Sequence, residues 1–204
     1  PQGNMTSGFG INKKSLRNTS YDMLVGRVSA LDTVQKTAYD NISVIPANIS
    51  LAGAEFELVE LEDRAYRLKN ELLKLRDEYD YIIIDCPPSF TAASVAAIAA
   101  SDDVIIPVKV DAFSVSGMRE LLTQISGVRG ICPGIRTAGI LVTMWHNSPA
   151  VVQGEALLRD SGVPVFLTVI RRSDKVDEST FARQPLNEYS RYSYAGRDYR
   201  ALVA

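Results

Sequence analysis

The chain has 204 residues, of which 46% are hydrophobic and 23% are charged, with a formal net charge of −2. This length suits one substantial domain, and the composition is ordinary for a soluble globular protein. The near-neutral charge excludes a nucleic-acid partner held by overall positive charge, so any such binding needs a local basic patch. Cys86 and Cys132 form no CxxC pair, which indicates a reduced, cytoplasmic protein without structural zinc.

Short apolar runs of strand length recur along the chain. They occupy residues 42–45, 81–84, 104–108, 138–142 and 165–170. Each run is rich in Val and Ile and is apolar on successive residues, which is typical of parallel strands covered on both faces. We therefore predict a mostly parallel sheet.

Helical patterns separate these runs. In residues 51–78, Leu and Ala recur at spacings of three and four on one face, while charged residues occupy the other. Shorter helices are predicted at 92–100, 115–128, 150–161 and 175–183. This alternation predicts a single α/β domain over residues 1–204, a doubly wound sheet flanked by helices.

The segment YIIIDCPPS, residues 81–89, is the strongest functional signal. Ligands of such sheets lie at the carboxyl ends of the strands, and Asp85 follows its predicted strand directly. Pro87 and Pro88 then prevent the chain from continuing as sheet. A carboxylate in this position orients magnesium in nucleotide-hydrolysing domains, usually through a water. An isolated Asp would more commonly be a helix cap or turn former, but the whole motif favours the magnesium site.

Four further segments of the sequence carry recognisable motifs. They are PQGNMTSG at residues 1–8, IPAN at 45–48, LAGAE at 51–55 and DYRAL at 198–202. Together with IIIDCPPS they resemble, in order and spacing, the ParA/Soj partition proteins of the ParA/MinD superfamily of deviant-Walker P-loop ATPases. The resemblance runs nearly end to end. It implies a P-loop NTPase-like fold with ATP and Mg²⁺ as cofactors.

The resemblance assigns roles to residues near the phosphates. Pro1, Gln2, Gly3 and Asn4 would belong to the switch segment beside the γ-phosphate, with Gln2 in a catalytic role and the other three binding nucleotide. Asp85 would be both the catalytic and the metal-site carboxylate. A plain Gly/Asn turn is the alternative interpretation of the first four residues.

A second set of candidates concerns the adenine base. The family contacts the base with the Pro and Asn of an IPRN loop, and the corresponding letters here are IRRS. Arg171 and Ser173 therefore stand at the two contact positions, with Arg172 between them. A guanidinium can stack on a base, although a solvent-exposed basic turn remains the alternative. Thr143 and Met144 are the other candidates for lining the base pocket.

No GxxxxGK[ST] phosphate loop occurs in these 204 residues. Since the chain also begins without methionine, we interpret it as a fragment lacking the first strand, phosphate loop and first helix, and cut at its C-terminus. The Asp that precedes Pro-Gln in the family would fall just before residue 1. We expect the complete protein to be an ATPase and the fragment to be inactive.

The resemblance also implies partners. ParA proteins of this type form homodimers around ATP, bind DNA non-specifically and respond to a ParB-like stimulating protein, which implies a cytoplasmic, nucleoid-associated protein without a membrane partner. The candidate DNA contacts here are Arg172, Lys175 and Arg197, in a locally basic C-terminal third. Phosphate contacts of this kind depend strongly on salt.

Three alternatives stay open. A MinD-like, membrane-associated positioning ATPase would need a terminal amphipathic anchor. An electron-transfer relative would need two cysteines at a dimer seam to hold an iron–sulfur cluster, and the positions of Cys86 and Cys132 disfavour it. A non-hydrolysing binding module is the third alternative.

Overall fold

A computed structural model describes residues 2–87 and 89–204, without the side chains of residues 112–116 and 119. The chain divides into two compact units, an N-terminal unit (Pro1–Ser101) and a C-terminal unit (Asp102–Ala204). No helix among the described residues is both long enough and apolar enough to cross a membrane.

The N-terminal unit is mainly helical. Its α-helices are α1 (Asn4–Gly8), α2 (Ser20–Leu24), α3 (Ala30–Thr33), α4 (Ala54–Val59), α5 (Arg67–Leu73) and α6 (Ala92–Ala100), with 3₁₀ turns at Lys13–Ser15 and Ile49–Gly53. Helices α4 and α5 pack against α6, and their buried Leu58, Leu68 and Leu72 join Ala96 in one apolar cluster. This cluster is the core of the unit.

The predicted strand at 42–45 is shorter and paired differently from the expectation. Strands β1 (Gln35–Lys36) and β2 (Ser43–Val44) form an antiparallel pair. The turn between them is closed by Thr37, whose backbone N–H and hydroxyl both donate to the carbonyl of Ile42, at 3.3 and 2.8 Å. A local hairpin partner replaces the parallel neighbour that the apolar pattern suggested.

The long helix predicted over residues 51–78 is interrupted between α4 and α5. The Arg64 guanidinium donates to the carbonyl of Val59 at 2.9 Å, which satisfies an acceptor that the end of α4 would otherwise leave unpaired. The backbone N–H of Tyr66 donates to the Asp63 carbonyl at 2.8 Å and closes the turn before α5. The apolar face survives the break, since both helices bury leucines in the same cluster.

The prediction of a strand at residues 81–84 is wrong for the described structure. Residues 81–87, which we call the Asp85 segment, form no regular secondary structure. Tyr81 and Ile83 are each 86% exposed, whereas Ile84 packs partly against the core of the unit. Among the described residues, no backbone hydrogen bond joins this segment to another. A strand requires a neighbour to pair its N–H and C=O groups, so this apolar run alone does not form one.

The C-terminal unit contains the parallel sheet. Strands β3 (Asp103–Lys109) and β4 (Arg136–Thr143) pair in parallel, and α7 (Ala112–Ile131) connects them and packs on β3. The remaining helices are α8 (Pro149–Arg159), α9 (Asp174–Ala182), α10 (Leu186–Ser190) and α11 (Tyr194–Val203). Helix α11 packs on the sheet through Ala195, which clusters with Leu141 and Ile170.

The predicted strand at 165–170 lies beside β4 with irregular pairing. Phe166 donates its backbone N–H to Ile140 at 2.9 Å, and Ile170 donates to Val142 at 2.8 Å. Gly139 has a φ of 153°, and a Cβ there would come within 3.0 Å of the Pro164 carbonyl oxygen. The glycine therefore permits this close approach, and three parallel segments end at the same edge of the unit.

Candidate functional site

The switch segment predicted at the N-terminus is anchored to the IPAN segment. Gly3 has left-handed backbone angles, φ 64° and ψ 35°, and a Cβ there would overlap the carbonyl oxygen of Ala47. The hydroxyl of Thr6, which is 1% exposed, donates to the Ala47 carbonyl at 3.1 Å and accepts from its N–H at 2.9 Å. Two segments that carry the resemblance are thus joined by the two hydrogen bonds of the buried Thr6 and by close backbone contact.

Gln2 and Asn4 lie at the exposed end of this arrangement. The amide of Asn4 donates to Oε1 of Gln2 at 3.3 Å, and Lys13 Nζ donates to the Gln2 carbonyl at 2.8 Å. Both side chains remain at the surface, where a ligand can reach them. Pro1 and Pro88 lie outside the described residues.

Asp85 is exposed in its irregular segment. The neighbouring Cys86 thiol points back to the Ile84 carbonyl at 3.9 Å. Partial desolvation, together with the Asp85 carboxylate, raises the pKa of this thiol, so it stays protonated at neutral pH. The described side chains include no cluster of three or more potential metal ligands. Magnesium in nucleotide sites usually keeps several waters and is bound through one or two carboxylates.

The helix that follows the Asp85 segment is held by Glu55 of the LAGAE segment. Its carboxylate accepts from the backbone N–H groups of Ala92 at 2.7 Å and Ala93 at 3.3 Å, at the start of α6. Thr91 caps the same helix by accepting from Ser94 N–H. A carboxylate at a helix N-terminus satisfies unpaired donors and the helix dipole. The sequence alone did not indicate this role, because the residues that pair are 37 apart.

In the C-terminal unit the predicted base-pocket residues come together at the carboxyl edge of the sheet. Trp145 donates its backbone N–H to Ile170 at 3.0 Å, and Arg172 donates to the Trp145 carbonyl at 2.8 Å. These bonds place Thr143 and Met144 beside residues 170–173, which we call the base loop. Met144 has a φ of 52°, a costly conformation for a residue other than glycine and one that is common at functional sites.

Arg171 is engaged within the protein. Its guanidinium donates to both oxygens of Asp198, at 2.6 Å from Nη2 and 2.9 Å from Nε, and its backbone N–H donates to Oδ2 at 2.9 Å. The same guanidinium lies 4.6 Å from the ring centre of Tyr194. Desolvation opposes ionisation of Asp198, but the hydrogen bonds and charge of Arg171 outweigh it and lower the pKa of Asp198. The predicted stacking of Arg171 on a base would require these contacts to break.

An open groove of about 540 Å³ lies beside the base loop. Its lining includes Arg172, Ser173, Lys175 and Glu178, together with His146 and Tyr194. Ser173 is the N-cap residue of α9, and its side chain makes no capping hydrogen bond. Asp174 lines the groove as well, so cationic, acidic, hydroxyl and aromatic groups face one cleft within the C-terminal unit.

The predicted DNA contacts differ in their surroundings. Lys175 Nζ pairs with Glu178 at 2.7 Å, and that carboxylate also accepts from the Tyr189 hydroxyl at 2.8 Å. The hydrogen bond to Glu178 raises the pKa of Lys175, which stays charged at neutral pH. Arg172 and Arg197 are exposed, and the described residues offer no ion-pair partner to either side chain. These two arginines are the more accessible cations.

Comparison with known proteins matches this chain to one family. A family model described as an AAA domain matches residues 1–132. The sporulation initiation inhibitor protein Soj of Bacillus subtilis is 36% identical over 209 aligned residues, covering 100% of this chain and 81% of Soj. The chromosome partitioning protein ParA of Caulobacter vibrioides is 34% identical, covering 93% of this chain and 73% of its own length.

Solved structures agree in fold. Cobyrinic acid a,c-diamide synthase from Mycobacterium smegmatis, with a bound ATP analog and magnesium, is 29% identical with a TM-score of 0.86, covering 98% of this chain and 76% of that one. The McdA(D38A)–ATP complex from Cyanothece, 23% identical, has a TM-score of 0.87 over 99% of this chain and 80% of that one. The predicted fold class is confirmed. The chain belongs to the ParA/Soj family of deviant-Walker P-loop ATPases within the ParA/MinD superfamily.

Proposed function

We propose that this protein is a partition ATPase, a switch that dimerises around ATP, binds DNA non-specifically and moves a chromosome, plasmid or phage genome. The observation that carries the proposal is its similarity, over nearly its whole length, to proteins named Soj and chromosome partitioning protein ParA. In this proposal the protein is cytoplasmic and nucleoid-associated, and a ParB-like protein stimulates its ATPase.

Each unit, taken separately, offers residues for a role in binding ATP and magnesium. Thr143 and Met144 lie beside the base loop, where Arg172 and Ser173 line the groove, and this arrangement supports a role in holding the base. Exposed Asp85 would hold magnesium, through water. Bound Mg²⁺ supplies charge neutralisation at the phosphates.

Beside Asp85, the switch segment is the contribution of this chain at the phosphates. Gln2, Gly3 and Asn4 would lie beside the γ-phosphate, with the left-handed Gly3 fixing the turn against Ala47. No phosphate-loop motif lies within these 204 residues. Since that loop supplies the backbone cradle and the lysine for the phosphates, we propose that these residues alone neither hold ATP tightly nor hydrolyse it.

DNA would be held by exposed cations of the C-terminal unit. Arg172 and Arg197 carry this role in the proposal, and Lys175 joins them if phosphate displaces Glu178 from its ion pair. Exposed pairs of this kind contribute little to stability, so such an exchange costs little.

The test uses the protein encoded by the complete gene. Its mass in solution and its retention on unrelated DNA are measured with ATP, with ADP and without nucleotide, at several salt concentrations. The proposal predicts a dimer and DNA retention with ATP, and retention that falls steeply as salt rises. DNA binding indifferent to both ATP and salt would contradict the partition switch and favour the binding module. Recruitment to anionic lipid vesicles in ATP would favour the MinD-like alternative.

A further inference from the structure

Arg171 joins two elements that border the groove. It belongs to the base loop, and its backbone and side chain both donate to Asp198 of α11. The two residues are 27 apart in sequence. The guanidinium also lies over the ring of Tyr194, at 4.6 Å from its centre. One residue thus makes three kinds of contact with the last helix: a backbone hydrogen bond, an ion pair and a cation–π contact.

Tyr194 and Asp198 occupy positions on α11 from which both side chains can contact Arg171. Tyr194 and Asp198 are four residues apart, so they share one face of the helix. Tyr194 lines the groove, whereas Asp198 is only 8% exposed and does not line it. Arg172 and Ser173, the immediate neighbours of Arg171, line the groove as well. The ion pair therefore joins the loop whose Arg172 and Ser173 line the groove to the helix whose Tyr194 lines it.

We propose that Arg171 and Asp198 are positioning residues, which fix the base loop and Tyr194 relative to each other so that the groove keeps the shape that receives the nucleotide base. This proposal rests on the proposed function and deepens it. Arg171 does not touch the base itself. Its neighbours in the loop, Arg172 and Ser173, contact the base.

The contacts of Asp198 favour positioning over base stacking for Arg171. A carboxylate that accepts a bidentate guanidinium and a backbone N–H is held in one orientation. Release of Arg171 to stack on a base would leave the buried Asp198 carboxylate without its partner, which is strongly unfavourable. The structure thus favours a permanent pair.

The experiment is a double-mutant cycle in the protein encoded by the complete gene. The variants are Arg171→Met, Asp198→Asn and the double variant, and the readouts are the KM for ATP and kcat. Positioning predicts that each single variant raises KM about tenfold with kcat little changed, and that the double variant is no worse than either single. Arg171→Lys, which keeps the charge, should recover part of the loss.

The matched control is Asp103→Asn. Asp103 forms a bidentate pair with Arg136, at 2.7 and 3.0 Å, where β3 and β4 begin. This variant removes the same kind of contact away from the groove, and its KM should stay within about twofold of wild type. If Asp198→Asn leaves KM unchanged while Arg171→Met raises it, Arg171 contacts the nucleotide directly and the proposal is overturned. Additive effects of the two substitutions would also overturn it.

A measurement made without nucleotide separates failure of the positioning role from failure of the proposed function. If the wild-type protein binds no ATP, the proposed function fails, and positioning is then judged by amide hydrogen exchange. The Arg172 N–H, which donates to Trp145, should exchange about tenfold faster in Asp198→Asn than in wild type or Asp103→Asn. Unchanged exchange at Arg172 would overturn the positioning role.

Discussion

The Asp85 segment and the apolar run at residues 165–170, which leads to the base loop, differ in how regular their structure is. Both are short apolar stretches followed by residues expected at a nucleotide site. Residues 81–87 are irregular, with Tyr81 and Ile83 exposed, whereas residues 165–171 are hydrogen-bonded along β4 and fixed to α11 by Arg171. The stronger motif thus belongs to the less regular structure. A motif identifies the chemistry of a segment, but hydrogen-bonding neighbours determine whether it forms a strand.

The largest expected effect concerns Asp85. In the protein encoded by the complete gene, Asp85→Asn should lower magnesium-dependent ATP hydrolysis by roughly 100-fold or more, because a metal-site carboxylate contributes several kcal/mol of charge stabilisation. Asp80→Asn, which removes an exposed carboxylate five residues earlier, is the control and should retain wild-type turnover. Equal rates for Asp85→Asn and wild type would remove Asp85 from the metal site.

The next effect concerns the anchoring of the switch segment. Thr6→Val deletes a hydroxyl that bonds both polar groups of Ala47 in a buried position, so the free energy of unfolding should fall by about 2 kcal/mol. Thr180→Val is the control, because the exposed Thr180 hydroxyl bonds only the Asp177 carbonyl and its loss should cost less than about 0.5 kcal/mol. Urea unfolding measures both. Equal losses would show that the Thr6 bonds do not anchor the segment.

The third effect concerns the ion pair of the base loop, and it is tested by how protein stability depends on pH. The pKa of Asp198 is lowered in the folded protein, so its stabilising contribution is present above its unfolded pKa of about 3.9 and disappears as pH falls through the folded value. Asp198→Asn should cost about 1.5 kcal/mol at pH 7 and progressively less below about pH 4. Asp103→Asn should stay within about 0.5 kcal/mol throughout. A cost for Asp198→Asn that is independent of pH would contradict the ionic account.

The smallest effect concerns DNA. Arg197→Ala should weaken ATP-dependent DNA binding modestly and reduce the slope of log K against log salt by about 1, because one phosphate contact is lost. Arg136→Ala is the control, since Arg136 already pairs with Asp103 at the start of the strands and its slope should match wild type. Filter retention at four or five salt concentrations measures both slopes. An unchanged slope for Arg197→Ala would place the DNA surface elsewhere.

Local signals in the sequence predicted several elements well. The apolar run at 92–100 forms α6 over Ala92–Ala100, helped by Thr91 as its cap. The rule that ligands lie at the carboxyl ends of strands directed attention to Met144, and the hydrogen bonds of Trp145 bring Met144 beside the base loop. The roles predicted for the site residues themselves stay predictions.

The sequence did not predict which residues distant along the chain form hydrogen bonds with each other. Glu55 holds the start of α6 from 37 residues away, and Asp198 holds Arg171 from 27 residues away. In both cases many acidic residues were available, and only packing selects which carboxylate reaches which donor. Arg171 consequently looked like a free stacking cation, although its guanidinium is already paired. The break after α4 escaped prediction because the leucine periodicity continues across it.

The most direct test of the account is the ratio of DNA affinities in ATP and in ADP, measured for the protein encoded by the complete gene at one fixed salt concentration. The proposed switch requires that ATP strengthen binding to unrelated DNA at least tenfold. If Asp85→Asn binds ATP without hydrolysing it, this variant should show the same difference. Equal affinities in ATP, in ADP and without nucleotide would contradict the ATP-dependent switch.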